Sequence, residues 1–179
     1  MRLRLRLLRV ILFALLRNND LTYTGESVLH FTVMPSDCVI KLVGNDRYHS
    51  FMDLGRIDLL IRMGGWNTLL SQKLQPFVHT AHIRYRYPLA MFQRFVLRTR
   101  LVHSDNRFFL MEHIFECGKK IMATAISKNG LTLQGKIIPT SQIIRFINGE
   151  QIPYAETNIS VINAFEKLLR TLQGQGCSS

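Results

Sequence analysis

The chain has 179 residues and a mass of 20.7 kDa, the size of one ordinary domain able to bury roughly 70% of the surface its unfolded form exposes. With 47% hydrophobic and 20% charged residues, 11 Gly and 5 Pro, it is neither a disordered chain, nor a collagen-like repeat, nor a low-complexity linker. Its formal charge of +11 draws it toward anionic partners without choosing among nucleic acid, acidic lipid and a phosphate-bearing small molecule.

Residues 1–20 form a basic amphipathic segment, MRLRLRLLRVILFALLRNND, with five arginines before its first acid. At about 100° per residue, Arg2, Arg6, Arg9 and Arg17 share one side of a helix and leave a Leu, Val, Ile and Phe stripe opposite. The longest apolar run, Val10 to Leu16, is far short of the roughly 20 residues that span a bilayer as a helix. The pattern suits an anionic membrane surface, and suits equally a stripe packed on the domain's own core or on a second subunit. No small-residue cleavage site follows the run, which argues against a signal peptide.

From Val28 the period changes to two, with Leu29, Phe31 and Val33 on one side of a strand ending at Met34-Pro35. A polar loop follows. Asn45 and Asp46 look like helix caps, and the segment after them is apolar nearly all round and stops at Gly64-Gly65, as a buried helix would. Phe77 to Tyr87 alternates, with Phe77, His79, Ala81, Ile83, Tyr85 and Tyr87 facing one way. The next strand sets Phe95, Leu97, Thr99 and Leu101 opposite Arg94, Val96, Arg98 and Arg100, so the sheet has one wet face. Two strands joined at Gly118 come next, Asn129-Gly130 reads as a turn before a further strand through Ile138, and Pro139 opens a short helix ending near Gly149. One domain is expected over residues 24–150. Residues 151–179 are a C-terminal extension with a helix over Ile159 to Leu172 and a polar tail, and the whole is an α+β arrangement.

Common catalytic motifs are missing: there is no GxSxG, GxxxxGK[ST], GxGxxG or HExxH. His79 and His82 stand three apart on a strand and point to opposite faces, so no metal site is expected. Cys38, Cys117 and Cys177 are far apart and odd in number. They support neither disulfides nor a cysteine zinc site, and a reducing, cytoplasmic compartment fits best, peripheral on the inner membrane surface if the N-terminal helix binds lipid. Arg84, Arg86, Arg94, Arg98 and Arg100 either grip phosphates or form a solvated sheet face. Nucleic acid is not an expected partner, because the basic residues form no motif that enters a groove.

The segment MPSDCVIKLVGNDRYHSFMDLGRIDLLIR, residues 34–62, resembles the hotdog-fold acyl-CoA thioesterases of the 4-hydroxybenzoyl-CoA thioesterase-like branch, which read approximately WP-[ST]-D-x-D-x-N-x-H-x-N-N-x-R-Y followed by LxxMDLGRxDLLxR. Pro35, Ser36, Asp37, Asn45, Arg47, Tyr48, Met52, Asp53, Leu54, Gly55, Arg56 and Asp58 carry the match, and the likeness runs on through residue 150. It implies a hotdog fold: an antiparallel sheet wrapped around a long central helix. It also implies a homodimer or dimer of dimers, and an acyl-CoA substrate that brings coenzyme A with it, with no other cofactor. The family's second Asp, its Asn and its His fall on Val39, Lys41 and Val43. Thioester hydrolysis needs a carboxylate to activate water or attack the carbonyl, and donors for the oxyanion. The candidate carboxylates are then Asp53, Asp46 and Asp37, although Asp46 would also serve as a cap and Asp53 would pair with Arg56 or Arg47. Asn45, Arg47, Tyr48, His49 and Arg56 are the expected substrate-binding residues. Two readings stay open: a thioesterase with a relocated carboxylate, and a non-catalytic module that binds an acyl thioester or lipid at the membrane surface.

Overall fold

The computed structural model describes residues 2–17, 21 and 25–142; the expected extension over 151–179 lies outside them. The elements in chain order are helix α1 (Arg2–Leu16), strand β1 (Glu26–Thr32), a 3-10 turn (Pro35–Asp37), a small hairpin of β2 (Cys38–Val39) and β3 (Leu42–Val43), helices α2 (Asn45–Arg62) and α3 (Gly65–Ser71), then β4 (Gln75–Tyr85), β5 (Arg94–Ser104), β6 (Phe109–Cys117), β7 (Lys120–Leu133) and β8 (Lys136–Ile137). The main sheet runs β1-β5-β6-β7-β4, with β8 beside β7, and every pairing is antiparallel.

Alternation in β5 drives the packing. Phe95, Leu97, Thr99 and Leu101 are buried under α2, while Arg98 bridges Glu26 and Glu116 and Arg100 reaches Glu112 across the outer face. Of the five arginines expected on strand faces, Arg86 lies just past β4, and two, Arg98 and Arg100, are tied to cross-strand carboxylates. Phe51, Met52, Leu54, Leu59 and Ile61 of α2 fill the concave side. Phe31, Phe51 and Phe95 meet with ring centroids 5.0–5.6 Å apart. The helix lies tight against the sheet at Gly55, where a β-carbon would collide with the Thr99 hydroxyl and stand 3.2 Å from Leu97.

Several sequence expectations are corrected. Asn129-Gly130 is not a turn: β7 runs through it, and the chain reverses at Gln134-Gly135 instead. Asn129 is buried and bonds the Ser127 carbonyl and hydroxyl, while Gly130 leaves room for the Phe77 ring, which a β-carbon would meet at 2.7 Å. Gly130 is thus selected by contact, not by backbone reversal. The alternation of β4 is interrupted by a bulge at His79, which transfers Phe77 to the face of Gly130 while Ala81, Ile83 and Tyr85 stay with Ser127, Ala125 and Ala123. The polar loop contains the β2–β3 hairpin, whose turn holds Ile40 at φ 66°, an unusual conformation for a β-branched residue. The central helix does end before Gly64-Gly65 as expected, with Met63 as its C-cap and Gly64 at φ 80° handing the chain to α3. It is not buried all round, however, since Asn45, Asp46, His49 and Asp53 remain exposed on one side. A helical turn opens at Thr140, and its continuation to Gly149 lies outside the described residues.

Helix α1 buries Val10 and Ala14 against the domain, so the core-packing reading of residues 1–20 holds for that side. Its other side exposes Leu5, Leu8, Leu12, Phe13 and Leu16. None of the described helices is long and apolar enough to cross a membrane.

Candidate active site at the start of the central helix

Gly44 caps α2, with Asn45 and Asp46 as the first helical residues. The expectation that Asn45 or Asp46 provides the cap is therefore wrong by one or two positions. The physical reason is space: Val39 packs 3.3 Å from where a Gly44 β-carbon would be, and the Asp46 carboxylate 2.7 Å from it. A glycine cap brings no side-chain oxygen, so the N–H groups of Asn45 and Asp46, which have no intrahelical acceptor, keep their hydrogen-bonding capacity at the positive end of the helix dipole. Arg47 N–H is already used on the Gly44 carbonyl at 3.0 Å.

An apolar lip borders these donors. Val39, Ile40 and Leu42 on the hairpin are exposed, as is Phe92, and the two segments are held together by the Leu42–Ala90 bridge and by Met91 N–H donating to the Lys41 carbonyl at 3.0 Å. Val39 is 69% exposed and Val43 buried. The position nearest the helix start thus carries an isopropyl group where the resemblance puts a carboxylate.

The three candidate carboxylates are not brought together. Asp37 is 6% exposed, ion-paired with Arg6 at 2.8 Å and accepting the Met34 N–H at 2.8 Å. Its carbonyl also accepts the Gly44 N–H at 3.0 Å, so Asp37 locks the loop to the helix start and to α1, and its carboxylate is fully engaged. Asp46 is exposed at the first turn, 3.3 Å from Arg47. Asp53 lies on the open face of α2 with its carboxylate on Arg56. It stands eight residues beyond Asn45, about 12 Å along the axis, out of reach of a carbonyl held by its own helix N-terminus.

The expected binding residues divide in the same way. Asn45 and His49 are exposed and Arg47 half-buried at the helix start. Tyr48 is instead 2% exposed: its hydroxyl accepts the Leu89 N–H at 3.3 Å and its ring packs edge-on to Tyr85 and Phe115. Burial raises its pKa, and it braces the loop rather than offering a ligand contact. Arg56 leaves the helix start altogether, donating to Asn129 at 3.2 Å and pairing with Asp53.

Two buried groups escaped sequence reading. Asp58 receives the Ser27 hydroxyl at 2.6 Å and lies 3.6 Å from Arg62, and desolvation raises its carboxyl pKa. Its position within the quoted helix motif is the only sequence signal. His113, 0% exposed, sits between the Thr99 hydroxyl at 3.1 Å and the Ser127 hydroxyl at 3.0 Å. Burial and the nearby Arg56 charge push its pKa down to about 3, so it is neutral at ordinary pH. Among the described residues, no three His, Cys, Asp or Glu side chains are grouped closely enough to hold a metal ion.

Solved structures share the fold. A probable thioesterase from Bartonella henselae aligns with a TM-score of 0.60 at 24% identity over 64% of this chain and 98% of that one. A gentisyl-coenzyme A thioesterase aligns at 0.57 and 24% identity, over 68% of this chain and 99% of that one. A 4-hydroxybenzoyl-CoA thioesterase mutant, solved in complex with 4-hydroxybenzoyl-CoA, aligns at 0.62 and 11% identity over 69% and 99%. At such identities the likeness establishes the hotdog fold. No curated protein matches the chain. Residues 33–141 match the thioesterase-like superfamily, a span that holds the hairpin, the glycine-capped helix and strands β4 to β8, and the chain belongs to that family.

Proposed function

We propose that this protein hydrolyses acyl-CoA thioesters as a homodimer, slowly, with its carboxylate displaced from the usual loop. The observation that supports it most is the Gly44-capped start of α2, where the N–H groups of Asn45 and Asp46 lie beside the apolar lip of Val39 and Leu42. Such donors stabilise the oxyanion of a tetrahedral intermediate, and the lip suits an acyl or aromatic group. Asn45, Arg47 and His49 stand around this point, placed to hold the coenzyme A portion. Asp53 acts as base or nucleophile from the open face of α2. Because it is about 12 Å from its own helix start, it serves the thioester bound at a second copy packed on that face, which also carries half-buried Ile57 and Leu60. Asp46 is the alternative, already at the donor end but paired with Arg47.

The test is turnover across a panel of acyl-CoA lengths for the natural chain, Asp53→Asn and Val39→Asp. Measurable hydrolysis that Asp53→Asn abolishes supports the displaced carboxylate; undiminished hydrolysis refutes it. A second reading is a non-catalytic acyl-thioester or lipid-binding module. It is favoured by Val39 at the critical position and by the commitment of Asp37 to Arg6. Acyl-CoA binding with no turnover on any chain length would establish it. Attachment to an anionic membrane, supported by exposed Leu5, Leu8, Leu12 and Leu16 on a basic helix, would show as salt-sensitive vesicle binding lost on deleting residues 2–17.

A further inference from the structure

A cavity of about 740 Å³ opens between α1 and β1, away from the start of α2. Its volume falls within the range of small-molecule pockets, roughly 300–1,000 Å³. Val10 and Phe13 from the helix face Leu29 and Phe31 from the strand across it, giving walls that are mostly apolar. Four arginines, Arg6, Arg9, Arg17 and Arg62, line the same space, with Asp58 as the one carboxylate among the lining residues. Two of the guanidinium groups are accounted for: Arg6 pairs with Asp37, and Arg62 with Asp58. Arg9 lies over the Phe13 ring, 5.5 Å from its centroid, and Arg17 acts on the Asp58 carboxylate only through its longer-range charge, so neither guanidinium is in a direct ion pair with a described carboxylate. Leu5, Arg9 and Phe13 are spaced by four along α1, and Arg17, just past its end, continues the row along the rim.

We infer that this cavity binds a long-chain fatty carboxylate, with its alkyl chain between α1 and β1 and its head on Arg9 and Arg17. An uncharged lipid would leave those two guanidinium groups without a directly hydrogen-bonded anion, and a small polar anion would leave the Val10, Phe13, Leu29 and Phe31 walls uncovered. An alkyl chain ending in a carboxylate satisfies both, through charge-assisted hydrogen bonds at the rim and apolar burial within. The site needs neither the Gly44 donors nor Asp53, so it stands apart from thioester hydrolysis, and absence of turnover would not touch it.

The experiment labels the natural chain with a diazirine analogue of palmitate below its critical micelle concentration and maps the labelled peptides. Saturable labelling near one equivalent on residues 2–17 or 26–32, displaced by palmitate and not by hexadecanol, is the expected result. The Arg9→Glu/Arg17→Glu double variant should bind about tenfold or more weakly, as expected for losing charged hydrogen-bond partners, while Asp53→Asn binds as the natural chain does. Arg9→Gln/Arg17→Gln, which alters the surface less, should also weaken binding and serves if charge reversal disturbs folding. Labelling centred on residues 39–49, equal displacement by hexadecanol, or undiminished binding by either folded double variant would overturn the inference.

Discussion

Burying a neutral imidazole at His113 makes the fold sensitive to acid, and the size of the effect follows from its surroundings. The ring lies at the base of the sheet between the Thr99 and Ser127 hydroxyls, with Arg56 reaching Asn129 nearby. In the unfolded chain an ordinary histidine titrates near 6.5; in the folded protein this one is held to about 3. Between those values the unfolded state binds the extra proton, so stability is fully present above about pH 6.5 and falls as pH drops toward 3. From pH 6.5 to 4.5 the loss is about 2–3 kcal/mol at 1.36 kcal/mol per pH unit. With a urea m-value of about 2 kcal/mol/M, the midpoint should move down by about 1 M. Asp58, whose pKa is raised by burial, contributes in the opposite sense, losing stabilisation as pH rises, but it is common to the natural chain and to His113→Gln. Comparing the urea midpoints of the two chains at pH 7.5 and 4.5 isolates the imidazole. His113→Gln should lose about 1 M less than the natural chain over this interval. Equal losses would show that His113 is not the acid-sensitive group and would refute the argument.

Gly55→Ala should destabilise by about 1–3 kcal/mol, because the new methyl collides with Thr99 in a packed interior; a thermal midpoint equal to that of the natural chain would contradict the contact. Gly130→Ala should act similarly through the Phe77 ring, and a urea midpoint equal to that of the natural chain would contradict this contact. Arg6→Ala leaves the buried Asp37 carboxylate without its guanidinium, costing on the order of 2–3 kcal/mol, and should hasten tryptic cleavage within α1; an unchanged cleavage rate would sink the clip. Val39→Asp places a carboxylate beside the Asn45 and Asp46 donors, and acyl-CoA turnover should rise by about 10²-fold or more if a base is what the loop lacks. No rise, with acyl-CoA still bound, would argue that the donors are not aimed at the thioester.

The parts of the molecule read correctly from sequence are those governed by local period. Phe95, Leu97, Thr99 and Leu101 announce their buried face by alternation alone, and the run of residues 45–62 announces a long helix. The resemblance through Met52 to Asp58 carried the fold, because that helix and its neighbouring turn leave a dense local pattern. What failed depended on a neighbour distant in sequence. Gly130 looks the same whether it turns the chain or admits Phe77, 53 positions earlier. The His79 bulge leaves hydropathy unaltered, and Asp37 carries no mark that Arg6 will claim it. Asn45 was a sound cap by propensity, yet the crowding between Val39 and Asp46 assigns the cap to Gly44 instead. At the site, the donor end was legible from the helix motif. The separation of Asp53 from that end was implicit in helix rise and its pairing with Arg56 in their spacing, but the chain from Arg56 through Asn129 and the Ser127 hydroxyl to His113 required the sheet register.

The contact at Gly55 also acts as a rotational stop. With Thr99 and Leu97 pressed against the helix backbone, α2 cannot turn about its own axis without driving a bulkier position into β5. The azimuth of every side chain on the helix is thereby set by one missing methyl on the opposite side. Asp46, His49 and Asp53 inherit their common outward bearing from that stop, although none of them touches it. An enzyme engineer wishing to re-aim the open face would therefore have to begin at its back, enlarging the gap under Gly55, before altering any residue on the face itself.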